Sequence, residues 1–110
     1  MIDVLTAMPA ARRIAVLGEM LELGASSEDL HRQVGRYAAG RGIDILIGIH
    51  GSAHAMTAAA QEAGMRAVHF LDDPEDAGVL VRELARPGDA VLFKGSRGVR
   101  VERALERLLA

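Results

Sequence analysis

Cysteine and tryptophan are absent from the 110-residue chain, and only three of its residues are aromatic. Without cysteine there is no disulfide framework and no thiolate metal site, a composition that fits the cytoplasm. Three aromatic rings leave no platform on which nucleic-acid bases could stack. A surplus of either charge is lacking too. Thirteen basic residues stand against fifteen acidic ones, for a net charge of −2, so bulk charge draws no phosphate backbone to this surface. No apolar run approaches the ~20 residues that cross a bilayer, and the opening residues do not follow the charged-then-apolar order of a secretion signal. Neither nucleic acid nor membrane is an expected partner. Lysine is almost missing: twelve of the basic residues are arginine and Lys94 is the single lysine. An ammonium and a guanidinium are not interchangeable. Position 94 is either an accident of composition or a place that needs a compact cation.

What the chain has is apolar content. Half of it is hydrophobic and a quarter charged, too apolar for disorder and long enough for one domain with a core of its own. Four runs rich in β-branched residues stand out: Ile14-Ala15-Val16-Leu17, Ile45-Leu46-Ile47-Gly48-Ile49, Ala67-Val68-His69-Phe70-Leu71 and Ala90-Val91-Leu92-Phe93. They do not alternate polar with apolar, so they read as strands covered on both faces, as in parallel sheets. Helical stripes separate them. Leu30, Val34, Tyr37 and Ala38 form the first, after Ser26 or Ser27 as N-cap. Met56, Ala59, Ala60 and Ala63 form the second, ended by Gly64. Ala77, Leu80, Val81 and Leu84 form the third, opened by Asp73-Pro74 and stopped by Pro87-Gly88. Val101, Leu105 and Leu108 form the last. Strand and helix in alternation predict an α/β fold: a three-layer α/β/α, Rossmann-like sandwich with a mostly parallel sheet. The strand that ends at Lys94 is expected centrally, beside the Ile14 strand, so that the loops after them face each other.

Ligands of open α/β sheets gather outside the carboxyl ends of the strands. Four loops lie there: Gly18–Gly24, His50–Ser52, Asp72–Pro74 and Lys94–Gly98. The Lys94 loop offers an ammonium, the Ser96 hydroxyl, the Arg97 guanidinium and two glycines at a helix start, a set suited to a carboxylate or phosphate. It is not a Walker A loop, because the order is Lys-Gly-Ser rather than Gly-Lys-Ser. The plainer reading is a helix entry capped by Ser96. The Gly18 loop lacks the Gly-x-Gly-x-x-Gly of dinucleotide sites. Glu19 there accepts from a ligand amine or, equally well on spacing, pairs with Arg12 or Arg13. The histidines do not suggest a metal: Gly51-Ser52 breaks the helix that would align His50 with His54. His31 reads as structural, pinning the Gly18 loop, and Asp72-Asp73 as a helix cap, with a Mg²⁺ role the lesser option.

Two longer strings carry more. Arg13-Ile-Ala-Val-Leu-Gly-Glu-Met-Leu-Glu-Leu-Gly24, followed by Leu30-His31 and Val34-Gly35, and Pro87-Gly-Asp-Ala-Val-Leu-Phe-Lys-Gly-Ser-Arg-Gly98 closely resemble the C-terminal domain of the Mur ligases. The likeness runs from about Arg12 to Leu109, with Glu19 where Asp is common and Phe93 where a small aliphatic is common. The resemblance implies a cytoplasmic three-domain enzyme of peptidoglycan synthesis, and its strings favour the member that adds D-Ala-D-Ala to the UDP-N-acetylmuramoyl tripeptide. ATP forms an acyl phosphate on the tripeptide carboxylate, the dipeptide amine displaces phosphate, and Mg²⁺ offsets the nucleotide's charge. It further implies that residues 1–110 are one domain, the C-terminal one. Ile2, Val4, Leu5 and Met8 before Pro9 then read as a remnant, over residues 1–11, of a preceding helix; a short natural N-terminal helix is the alternative. The N-terminal domain and the central ATPase domain would be partners in cis, the central one carrying the phosphate-binding loop for ATP and most Mg²⁺ ligands; neither ATP nor Mg²⁺ is expected bound to this piece, which has no complete catalytic set. Carried onto this sequence, Lys94, Ser96 and Arg97 would hold the dipeptide carboxylate or an anionic group of the intermediate. Gly18, Glu19 and Met20 would shape the opposite wall. The same domain of a Mur-like ligase for another acceptor, and a stand-alone Rossmann-like binding module, remain the alternatives.

Overall fold

Where the sequence runs apolar without alternation, the chain forms strands, of which the first two are buried almost throughout and the other two only in part. The computed structural model describes residues 12–19 and 27–94. Within them, β1 (Arg13–Gly18), β2 (Ile45–Ile49), β3 (Val68–Leu71) and β4 (Ala90–Lys94) alternate with α1 (Ser27–Gly40), α2 (Ala53–Glu62) and α3 (Pro74–Leu84). All strand pairs are parallel and the order is β3-β2-β1-β4. The strand ending at Lys94 lies beside β1, as expected, but among the described strands it is at an edge, like β3, rather than central. β2, whose five residues are all buried, takes the inner place instead.

Side-chain alternation along each strand builds two cores. Ala15, Leu17, Leu46 and Ala90 pack with Ala38 of α1 and Ala53, Met56 and Ala60 of α2. Ile14, Val16, Ile45, Ile47 and Ile49 pack with Ala77 and Val81 of α3 on the other face. Helices on both faces of one parallel sheet make the three-layer sandwich.

The helix boundaries follow local chemistry. Asp73 is extended and its carboxylate accepts from the Glu75 amide at 2.9 Å, with Pro74 at the first helical position of α3. At the end of α2 the Met65 amide donates to the Ala60 carbonyl and the Gly64 amide to Gln61, both at 3.0 Å, with Gly64 at φ 101°. That pair of bonds is a Schellman closure, for which a glycine at this position is the usual choice. The expected α1 stripe holds at Ala38, which is buried, and at Val34, which packs against the same core; His31 and Gly35 are buried as well, whereas Tyr37 is exposed with the Arg41 guanidinium 5.4 Å from its ring centre. Gly35 marks where the two helices come closest. A Cβ there would collide with the Met56 carbonyl oxygen, so α1 and α2 touch backbone to backbone at that point. The predicted stripe of Val101, Leu105 and Leu108 lies outside the described residues.

At the amino edge of the sheet, Arg12 ties three elements together. Its guanidinium donates to both Asp89 carboxylate oxygens, at 3.2 and 2.7 Å, and to the Leu84 carbonyl at the end of α3 at 2.7 Å. The hydrogen bonds from Arg12 and then from the Arg86 amide hold the Asp89 carboxyl below the usual carboxylate range.

Candidate functional site

The strand order locates a crevice before any side chain is considered. From β1 the chain steps to β2 and then β3 on one side, and later returns to place β4 on the other side of β1. The chain thus passes to both sides of β1, and such a reversal of strand order is where open α/β sheets bind ligands. Leu17 is in register with Lys94, so Gly18 and Glu19 at one strand end and Lys94 at the other share one rim. Lys94 is exposed there, as a residue that meets a ligand in solvent must be. The structure thus brings Gly18, Glu19 and Lys94 to one edge. Met20, Ser96 and Arg97 lie outside the described residues.

Glu19 has partners that spacing did not reveal. Its amide donates to the Ile49 carbonyl at 3.0 Å and its carboxylate accepts from the Ser52 amide at 2.6 Å. The alternative with Arg12 fails on length: Arg12 precedes β1 and Glu19 follows it, roughly 20 Å apart at strand rise, and Arg12 instead grips Asp89. Between the two bonds of Glu19 stands His50 at φ 68°, unusual for a residue with a side chain. Its Nδ1 lies 3.9 Å from an Asp72 carboxylate oxygen.

The turn before α2 offers an anion little. The amides of Ala53, His54 and Ala55 donate to the carbonyls of His50, Gly51 and Ser52, while the Ser52 amide is taken by Glu19. A phosphate seeking the free amides of a helix start finds these occupied. Beside this turn a cleft of about 480 Å³ opens between α1 and α2. Its charged walls are Glu19, Glu28, Arg32 and Glu62, and Arg32 is paired with Glu28 at 2.6 Å and Asp29 at 3.0 Å. Among the described lining residues the carboxylates outnumber the guanidinium, which disfavours a phosphate there. None of its lining residues comes from β4.

The histidines separate by environment. His31 is fully buried, its Nδ1 2.6 Å from the Ser27 carbonyl, an anchoring contact within α1. His54 stands edge-on to Phe70, ring centres 5.1 Å apart. Among the described residues no three His, Asp or Glu side chains converge on a metal position. Asp73 is the α3 cap.

Residues 1–97 match the family described as Mur ligase, glutamate ligase domain, a span that takes in Gly18–Met20 and Lys94–Arg97. The chain belongs to the Mur ligase family. Within it, the UDP-N-acetylmuramoyl-tripeptide–D-alanyl-D-alanine ligase of Synechocystis sp. is 35% identical over 109 residues, which is 99% of this chain and 24% of the relative. The ligase of the same name from Mycobacterium leprae is 39% identical over 94 residues, 82% of this chain and 18% of the relative. Among solved structures, the MurF ligase of Thermotoga maritima in complex with ADP superposes with a TM-score of 0.78 at 29% identity, covering 96% of this chain and 23% of that one. A MurF of Acinetobacter baumannii superposes with a TM-score of 0.85 at 25% identity, covering 98% and 24%. The chain spans about a quarter or less of the Mur ligases it matches.

Proposed function

We propose that this chain is the C-terminal domain of a longer cytoplasmic three-domain ligase that joins D-Ala-D-Ala to the UDP-N-acetylmuramoyl tripeptide in peptidoglycan synthesis. The observation that carries the reading is the shared rim at the reversal point of the sheet, with Lys94 on β4 beside Gly18 and Glu19 on β1. The names of the relatives supply the substrates.

In this reading the reaction has two steps. The tripeptide carboxylate takes the terminal phosphoryl group of ATP, releasing ADP. The neutral amine of the dipeptide then attacks the acyl carbon, phosphate leaves with the bonding electrons, and the amine loses a proton as the amide forms. ATP and Mg²⁺ are held by the remaining domains. The task of this domain is to position the amine and to stabilise charge. Lys94, Ser96 and Arg97 bind the dipeptide's carboxylate, for which the fork of Arg97 gives a two-point contact. The chain at the end of β1, from Gly18 through Glu19 to Met20, shapes the facing wall. The chain by itself does not turn over.

The test joins the chain to the preceding ligase domains and replaces Lys94 or Arg97 by Ala. A rise in KM for D-Ala-D-Ala of about 10-fold or more is expected, the size of one lost charge-assisted contact; unchanged ligation overturns the site. Because the family description names glutamate, a ligase for another amine acceptor is the second reading, and competition between acceptors in the joined enzyme separates the two. A reading frame upstream of Met1 that carries Gly-Lys-Thr or Gly-Lys-Ser supports a ligase over a stand-alone module.

A further inference from the structure

Resting on the crevice just proposed, we infer that Glu19 is a positioning residue, which fixes the end of β1 through the Ser52 amide and does not itself touch the ligand. The direction of its side chain is the first reason. β1 lies between β2 and β4. The Glu19 carboxylate is bonded to Ser52, which follows β2, and so is turned to the side of β1 away from Lys94. It lines the α1–α2 cleft, to which β4 contributes nothing.

The second reason is how completely the group is engaged. Its amide and carboxylate clasp both ends of the reversal from Ile49 to Ser52. Within that reversal His50 holds φ 68°, and at Gly51 a Cβ would strike the carboxylate itself. A backbone conformation of this kind persists only where its surroundings enforce it, and Glu19 supplies the enforcement. By reciprocity the same bonds set where the chain leaves β1, which is one wall of the crevice. A side chain that oriented the dipeptide amine directly would be aimed at β4 and would owe its effect to charge. Glu19 owes its effect to an acceptor oxygen.

The distinction is measurable, because Gln keeps an acceptor oxygen without the charge. A second handle is the donor: Ser52 has φ −64°, which proline adopts, so Ser52→Pro removes the amide hydrogen, with a ring carbon facing the Glu19 carboxylate in its place. Ligation kinetics are measured on the enzyme joined to its preceding domains, and urea unfolding on the 110-residue chain, for Glu19→Ala, Glu19→Gln, Ser52→Pro and the Ala–Pro pair. The expected result is that Glu19→Ala and Ser52→Pro each lower kcat/KM for D-Ala-D-Ala by about 10-fold, and that the pair is no worse than either alone. Glu19→Gln restores most of the loss and leaves the pH profile of kcat/KM as in the native enzyme. The proposal is overturned if Gln is as harmful as Ala with an altered pH profile, or if Ala and Pro act additively. Should Ser52→Pro fail to fold, the comparison of Gln with Ala decides. If Lys94→Ala leaves ligation intact, the crevice reading fails, whereas the link between Glu19 and Ser52 is still judged by the unfolding cycle.

Discussion

Arg12 and Asp89, 77 residues apart in sequence, meet through two hydrogen bonds of 3.2 and 2.7 Å at the amino edge of the sheet. The Asp89 side chain is 3% exposed and also accepts from the Arg86 amide at 2.9 Å. This contact fastens β4 to β1 at the end opposite the crevice.

The contact makes the fold sensitive to acid in a defined direction. Asp89 has its pKa lowered in the folded chain, first by the hydrogen bond from Arg12. A lowered value means that the contribution is complete above the unfolded value of about 3.9 and is lost as pH falls through the folded one. Melting curves between pH 7 and pH 2.5 are expected to show Asp89→Asn less stable than the native chain at neutrality, the gap narrowing below pH 4. A gap that does not change with pH counts against the ion pair.

Gly35→Ala is expected to destabilise the chain by about 1–3 kcal/mol, the usual cost of forcing an extra carbon into a packed contact. The added Cβ meets the Met56 carbonyl, part of the α2 backbone, which cannot swing aside as a side chain would. Urea unfolding measures it, and Gly40→Ala, where nothing lies within 4 Å, is the control.

Asp73→Ala removes the acceptor for the Glu75 amide at the start of α3. A loss of about 1 kcal/mol is expected, with Asp73→Asn or Asp73→Ser recovering most of it. The midpoint of chemical unfolding is the measurement.

Lys94 is exposed, so Lys94→Ala is expected to move stability by no more than about 0.5 kcal/mol. In the joined ligase the same change is expected to weaken the dipeptide's KM, and Lys94→Arg to leave much of that defect in place, because the two cations differ in shape and hydration. Melting temperature and kinetics measured on the same preparations separate folding from function.

Much of the fold was legible because single residues carried it. The unbroken run Ile45–Ile49 announced a strand buried on both faces, and it is buried throughout. Asp73-Pro74 and Gly64 marked a start and a stop through backbone chemistry that needs no tertiary partner. Tyr37 misled, since its spacing suited the α1 stripe. Gly35, whose missing side chain lets α2 approach, is buried there instead, and an absent side chain contributes nothing to hydrophobic periodicity. In the same way the partner of Glu19 stayed hidden: Ser52 is 33 residues away and reaches it only because β1 and β2 pair in parallel. The adjacency of the Gly18 and Lys94 ends was expected and is found; the roles of Met20, Ser96 and Arg97 fall to the ligation experiments.

The register of β1 with β4 also governs when the molecule becomes whole. Leu17 must wait for Lys94, while its pairing with Gly48 on the opposite flank is available after far less polypeptide has emerged from the ribosome. Short-range pairings close sooner than distant ones because less chain entropy is lost. The hairpin-free trio β1, β2 and β3 can therefore gather during synthesis, and docking of the fourth strand is the late event. The rim is thus completed last, so a nascent chain stalled short of residue 90 would carry most of the hydrophobic interior and only the β1 side of the rim.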